Sequence, residues 1–159
     1  MTKRRSKDIG TDAERAVLKY FQANGWPDAR RYAQRGANDV GDIDLLQPAV
    51  VVEVKGGAAA KAASDGQIGK WLEETNSERL KASAIVGILV VQRAGIGPAN
   101  AGNWWAVMEA WQYDELRSQP DCSTLGTTLS DINPHLPVRF SLDHAAQCLR
   151  AAGYWPGQS

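Results

Sequence analysis

Gly41-Asp42-Ile43-Asp44-Leu45-Leu46, followed after a short turn by Val51-Val52-Glu53-Val54-Lys55, is the stretch on which the reading of this chain turns. Side chains in a strand alternate faces with period two, so Asp42 and Asp44 share one face, and Glu53 and Lys55 share one face of the next strand. Ile43, Leu45, Val52 and Val54 point the other way. A turn centred on Gln47-Pro48 sets Asp42 opposite Glu53 in an antiparallel pair, with the two side chains about 5 Å apart at their bases. Carboxylates that close repel unless a cation joins them. Two readings stand side by side: a solvated strand face with alternating charges, or a site for a divalent cation. Proline in second place disfavours a two-residue turn, which widens the loop to Leu46–Ala49. A one-residue slip in register would send the two acidic sets to opposite faces.

The bulk properties narrow the setting. A chain of 159 residues suits one domain with a single sizeable core. Its 43% hydrophobic and 23% charged content is ordinary for a soluble globular protein, and its formal net charge of zero advertises no global attraction to nucleic acid. Local clustering does: Lys3, Arg4, Arg5 and Lys7 form a basic arm over residues 1–9, and Arg30, Arg31 and Arg35 form a second basic patch just ahead of the acidic hairpin. An acidic site flanked by basic segments averages to zero in this way, although a solvated terminus accounts for the arm alone. No apolar run approaches the ~20 residues that span a bilayer, and the N-terminus lacks a signal-peptide stretch, so a cytoplasmic protein is expected. Cys122, His135, His144 and Cys148 lack the paired C-x-x-C spacing that argues for zinc.

Along the chain, Thr11 reads as a helix cap, with Val17, Leu18, Tyr20 and Phe21 forming a seam that ends at Asn24-Gly25. A first strand is expected within 30–35, and the hairpin strands at 41–46 and 50–55. Gly56 to Ser64 reads as a mobile connection. Ile68, Trp71, Leu72 and Thr75 recur at helical spacing from Asp65 to about Ala82, with Glu73, Glu74, Glu78 and Arg79 off the seam. Ala84–Val91 is a continuous aliphatic run, a fully buried strand. Arg93–Asn103 reads as a flexible loop, Trp104–Trp111 as a strand, Tyr113–Arg117 as a short helix, and Ser141 as the cap of a last helix. The order, one helix, three strands, one helix and two strands, predicts an α/β fold with a mixed central sheet flanked by helices. Residues 10–118 form its core and 119–159 a C-terminal extension.

This order, with Gly41-Asp42 near the second strand and Val52-Glu53-Val54-Lys55 on the third, resembles the core (αβββαβ) of the PD-(D/E)XK nuclease superfamily, the restriction-endonuclease-like fold. Gly10-Thr11-Asp12-Ala13-Glu14, Trp71-Leu72-Glu73-Glu74, Val90-Val91 and Trp104-Trp105-Ala106-Val107-Met108 are most similar to Holliday junction resolvase-like proteins of actinobacteria and their phages. The resemblance covers roughly residues 10–111. It departs in the stretch after the buried strand, where Arg93 is followed by uncharged Ala94–Asn103 in place of further basic residues. The resemblance implies a Mg²⁺-dependent endonuclease acting on branched DNA as a homodimer, with Mn²⁺ able to substitute. It implies Asp42 and Glu53 as metal ligands, the Val54 carbonyl as another, Lys55 as the catalytic lysine and Glu14 as an acidic residue aimed at the metal. Asp44 has no fixed place in that pattern, but sharing a face with Asp42 makes it a candidate outer ligand.

The chemistry agrees independently. Hydrolysing a phosphodiester at neutral pH needs a hydroxide-like nucleophile and neutralisation of charge on the phosphate. Mg²⁺ held by a few carboxylates and waters supplies both, and a compact ammonium such as Lys55 can hold the water or counter the developing charge. Glu14 has a competing role, since Thr11-Asp12-Ala13-Glu14 spells a capping box. Lys3, Arg4, Arg5, Arg30, Arg31 and Arg35 are the candidate DNA contacts. Trp104, Trp105 and Trp111 cannot all face inward on one strand, which makes that strand the candidate subunit interface.

Overall fold

A computed structural model describes residues 6–32, 40–118 and 129–157. The elements run α1 (Ser6–Ala23), β1 (Arg30–Arg31), β2 (Ile43–Asp44), β3 (Val50–Lys55), α2 (Gly57–Lys61), α3 (Asp65–Lys81), β4 (Val86–Val91), a 3-10 turn (Pro98–Asn103), β5 (Trp105–Glu109), α4 (Ala110–Arg117), α5 (Leu129–Ile132), β6 (Pro137–Ser141) and α6 (Leu142–Ala151). Among the described residues the strands form one sheet in chain order, β1 to β6. β3 and β4 are parallel, joined by a crossover through α2 and α3, and every other neighbouring pair is antiparallel. This is an α/β fold with a six-stranded mixed sheet flanked by helices.

The aliphatic runs explain the middle of the sheet. All six residues of β4 are buried, as are the first five of β3, because each of these strands is covered on both faces. On one face Val50, Val52, Val54, Ile88, Val90, Ala106 and Met108 pack with Ala13, Val17 and Phe21 of α1 and with Leu142, Ala145 and Leu149 of α6. On the other face Leu89, Val91 and Val107 pack with Ala60 of α2 and with Ile68 and Leu72 of α3. Gln112 of α4, fully buried, pins the second layer: it accepts from the Gly87 amide at 2.7 Å and donates to Asn76 Oδ1 at 2.8 Å.

Several expectations are corrected. α1 begins at Ser6, so residues 6–9 belong to the helix and not to a basic arm; Thr11 lies inside it, and the capping box does not form. Docking of the seam through Ala13, Val17 and Phe21 outweighs the roughly 1 kcal/mol that an interior Gly10 costs. The 56–64 connection holds α2, with Ala60 buried, and Ser64 caps α3 by accepting from the Gln67 amide at 3.2 Å. The 93–103 segment folds into the 3-10 turn, with Ala101 in the core. The described part of the C-terminal extension is no appendage, since β6 extends the sheet along β5 and α6 completes the core. Ser141 does cap α6, accepting from the His144 amide at 3.1 Å. No helix of the described residues is long and apolar enough to cross a membrane.

Candidate active site

The β2–β3 hairpin adopts the expected register, Ile43 facing Val52. Both pack on the α1 side of the sheet, so alternation turns Asp42, Asp44, Glu53 and Lys55 toward the α3 side. The turn is local chemistry. Asp44 Oδ1 accepts from the Leu46 amide at 2.8 Å, and Leu46 takes a left-handed φ of 57°. Beyond Ile43 the ladder shifts, with the Asp42 amide donating to Val52 O at 2.8 Å and Asp42 Oδ2 accepting from the Val54 amide at 2.8 Å.

Gly41 permits this shift, with a φ of +88° and a missing Cβ that would stand 2.7 Å from Val52 O. Gly41→Ala is therefore expected to lower stability by about 1–3 kcal/mol and to displace Asp42. Chemical denaturation would read the loss, and an unchanged midpoint would mean that the backbone here yields easily.

Around the hairpin the charges are crowded. Lys55 Nζ donates to Glu53 Oε1 at 2.9 Å and lies 3.6 Å from Glu74 Oε2 of α3. Asp42 is pushed up to about 7, first by burial and then by the Glu53 and Glu14 charges, against the opposing Val54 amide and Lys55. Glu78 of α3 is also pushed up to about 7, by burial and by its charge and hydrogen-bond interaction with Glu53, although Lys55 and the Gly41 amide oppose this. Burial alone would lower Lys55, but Glu53, Glu74 and Asp42 together raise it. Glu78 Oε2 is buried with no hydrogen-bond partner. The cluster carries more negative charge than Lys55 can neutralise.

Asp42, Glu53 and Lys55 are thus brought together, with the Val54 backbone beside them. Glu14 belongs to α1, which packs on the other face of the sheet. Its field acts on Asp42, but its carboxylate is held by Arg31, whose Nε donates to Oε2 at 2.8 Å and whose Nη2 bonds to the same oxygen. Gly56 lets α1 come this close, because any Cβ there would collide with Ala13 Cβ. Asp44, the candidate outer ligand, is engaged by the Leu46 amide and by Arg30 Nε at 3.0 Å. Arg30 and Arg31, expected as DNA contacts, are therefore ion-paired within the chain. Lys3, Arg4, Arg5 and Arg35 lie outside the described residues, as does Cys122.

The tryptophans do not form the exposed strand expected as an interface. Trp104 is fully buried and donates to Ile96 O at 2.9 Å, Trp105 is half-buried between arginines, and Trp111 donates to Glu109 at 2.6 Å beneath Arg79. His144 Nε2 lies 3.1 Å from the Tyr113 hydroxyl and 3.6 Å from Cys148 Sγ, whereas His135 stands against Glu109.

Glu78 and its neighbour Glu74 went unassigned in the sequence, yet a signal was there. The buried positions Ile68, Leu72 and Thr75 continue at helical spacing onto Glu78 and Arg79, so a charge falls on the stripe facing the sheet. Among the described residues no group of three or more His, Cys, Asp or Glu side chains forms a ready-made metal cage. Compared with known proteins, the chain matches no family model, no curated protein and no solved structure.

Proposed function

We propose that the chain is a metal-dependent DNA endonuclease on a PD-(D/E)XK, restriction-endonuclease-like core, hydrolysing phosphodiester bonds in branched DNA such as a four-way junction. The observation that carries this reading is the crowding of Asp42 by the Glu53 charge, with Lys55 hydrogen-bonded to Glu53. The order α1-β1-β2-β3-α3-β4 supports the choice of core.

The donor set fits a hard divalent cation. Two adjacent carboxylates, one of them held up near 7 by burial and like charge, and the orphaned Glu78 oxygen all mark a deficit of positive charge. Asp42, Glu53 and the Val54 carbonyl would hold Mg²⁺ or Mn²⁺, with Glu14 in support. The ion supplies acidification of a water and neutralisation of the phosphate. Lys55 would donate a hydrogen bond to that water or to a phosphate oxygen. The water oxygen would bond to phosphorus and release a proton to solvent, while the bond to the departing sugar oxygen breaks and that oxygen takes up a proton from solvent. Resolving a four-way junction needs two strands cut, so a two-fold homodimer is part of this reading.

Incubation with linear, nicked, flapped and four-way DNA, each with Mg²⁺ or EDTA, tests it. Mg²⁺-dependent paired nicks on the junction are expected. Equal degradation of linear duplex would remove the branched substrate and leave a general nuclease. Binding without any cleavage would leave a non-catalytic DNA-binding module.

A further inference from the structure

The ladder register aligns Lys55 with Val91 and Val91 with Trp105, so the three share the sheet face that carries Glu53. Trp105 stands two strands from Lys55, about 10 Å away. Two guanidinium groups lie over its ring. Arg93, just beyond β4, sits 4.1 Å from the ring centroid, and Arg139 of β6 sits 4.7 Å from it. β4 and β6 flank β5 on opposite sides, so the cations approach the indole from its two neighbours.

Neither charge is well neutralised. Among the described residues Arg93 makes no ion pair, and the contact of Arg139 with Asp65 is 3.9 Å long to a side chain that is 98% exposed. With both cations on its ring, Trp105 acts as a spacer that fixes them, a job for the planar guanidinium. Between this pair and the hairpin Val91 lies under Ala60 of α2 and Ile68 and Leu72 of α3, so a polyanion that touches both points would pass over these helices.

We propose that Arg93 and Arg139, fixed on Trp105, form a phosphate-contact point on the face of Glu53 and Lys55. Its ligand is the sugar-phosphate backbone of the nucleic acid cut at that site. The proposal rests on the nuclease reading. Phosphates of one strand recur about every 3.4 Å along the axis of a duplex, so a backbone held at Lys55 carries further phosphates to the distance of a cation pair about 10 Å away. Contacts of this kind position the substrate without reading its sequence.

The test is binding of fluorescent duplex and four-way DNA in EDTA, across a salt series, by the full chain and by Arg93→Gln, Arg139→Gln and the double variant. Glutamine keeps the flat polar head and removes the charge. Each single change should lower the slope of log affinity against log salt by about 0.9, and the double change by about 1.8. The weakening should be uniform across sequences. Lys19→Ala, on the exposed side of α1, should leave the slope unchanged, and thermal midpoints establish that each variant is folded.

Wild-type slope and affinity in the folded double variant would overturn the proposal while leaving the nuclease reading intact. So would an equal loss in Lys19→Ala, which would indicate bulk charge alone. A wild-type chain that neither binds nor cuts DNA would overturn both.

Discussion

Asp42→Asn is expected to lower DNA cleavage by about 10³-fold or more and, at the same time, to raise the stability of the metal-free protein at pH 8. The first effect follows from losing a charged oxygen where a cation must be held against the reacting phosphate. The second follows from the linkage of protons to folding. The Asp42 carboxyl sits near 7 in the folded chain against an ordinary value of 3.8, so the folded state holds its proton more tightly than the unfolded state does. Stability therefore falls as pH rises from about 4 to about 7, and stays at the lower level beyond. Asparagine removes that loss and can still accept the Val54 amide.

The gain is about 1–3 kcal/mol after allowance for partial exposure, or several degrees in thermal midpoint. Thermal melts from pH 5 to pH 8 in EDTA would measure it. The wild type should melt lower at pH 8 than at pH 5, the variant should flatten that slope, and Mg²⁺ should restore the wild type alone. A wild-type midpoint that climbs steadily with pH would show that the crowding is relieved in some other way.

Lys55→Met should also abolish turnover, but with the opposite effect on stability. Lys55 lies among Asp42, Glu53 and Glu74 and bonds Glu53 directly. Removing it leaves buried Glu53 facing Glu78 with no cation between Asp42 and Glu74. A loss of about 1–3 kcal/mol at neutral pH is expected, against no more than about 0.5 kcal/mol for a solvated surface lysine. Denaturant titration in EDTA separates the two. Paired with Asp42→Asn, the experiment gives inactive proteins whose stabilities move in opposite directions, which generic misfolding cannot produce.

The hairpin was legible because its information is local. Period-two alternation and a turn centred on Gln47-Pro48 pointed to a register, with a one-residue slip left open, that matches Ile43 opposite Val52. β4 was legible because an unbroken aliphatic run can only be covered on both faces. What escaped has non-local causes. β6, Pro137–Ser141, is a half-exposed edge strand whose pattern is weak, and its pairing is dictated by β5. Thr11 has ideal cap chemistry, but the docked face of α1 carries the helix past it. Glu78 continues the buried stripe of α3, but its neighbour Glu53 is set only when α3 is laid on the sheet. Arg30 and Arg31 read as open cations because their partners, Asp44 and Glu14, become neighbours only through the β1–β2 pairing and the approach of α1.

Residues 20–26 and 143–154 meet on one face of the sheet. Tyr20 donates to Asp143 at 2.6 Å, the Trp26 indole donates to Tyr154 O at 2.8 Å, and Arg150 donates to Asn24 O at 2.6 Å. During synthesis the strands can be laid down one after another, each beside its predecessor, because their spatial order is the order of translation. The helix bearing Glu14 does not share that convenience. Its far end rests on the 3-10 turn and is completed by residues 143–154, so a nascent chain that already possesses Asp42, Glu53 and Lys55 still lacks part of the clasp that seats this helix.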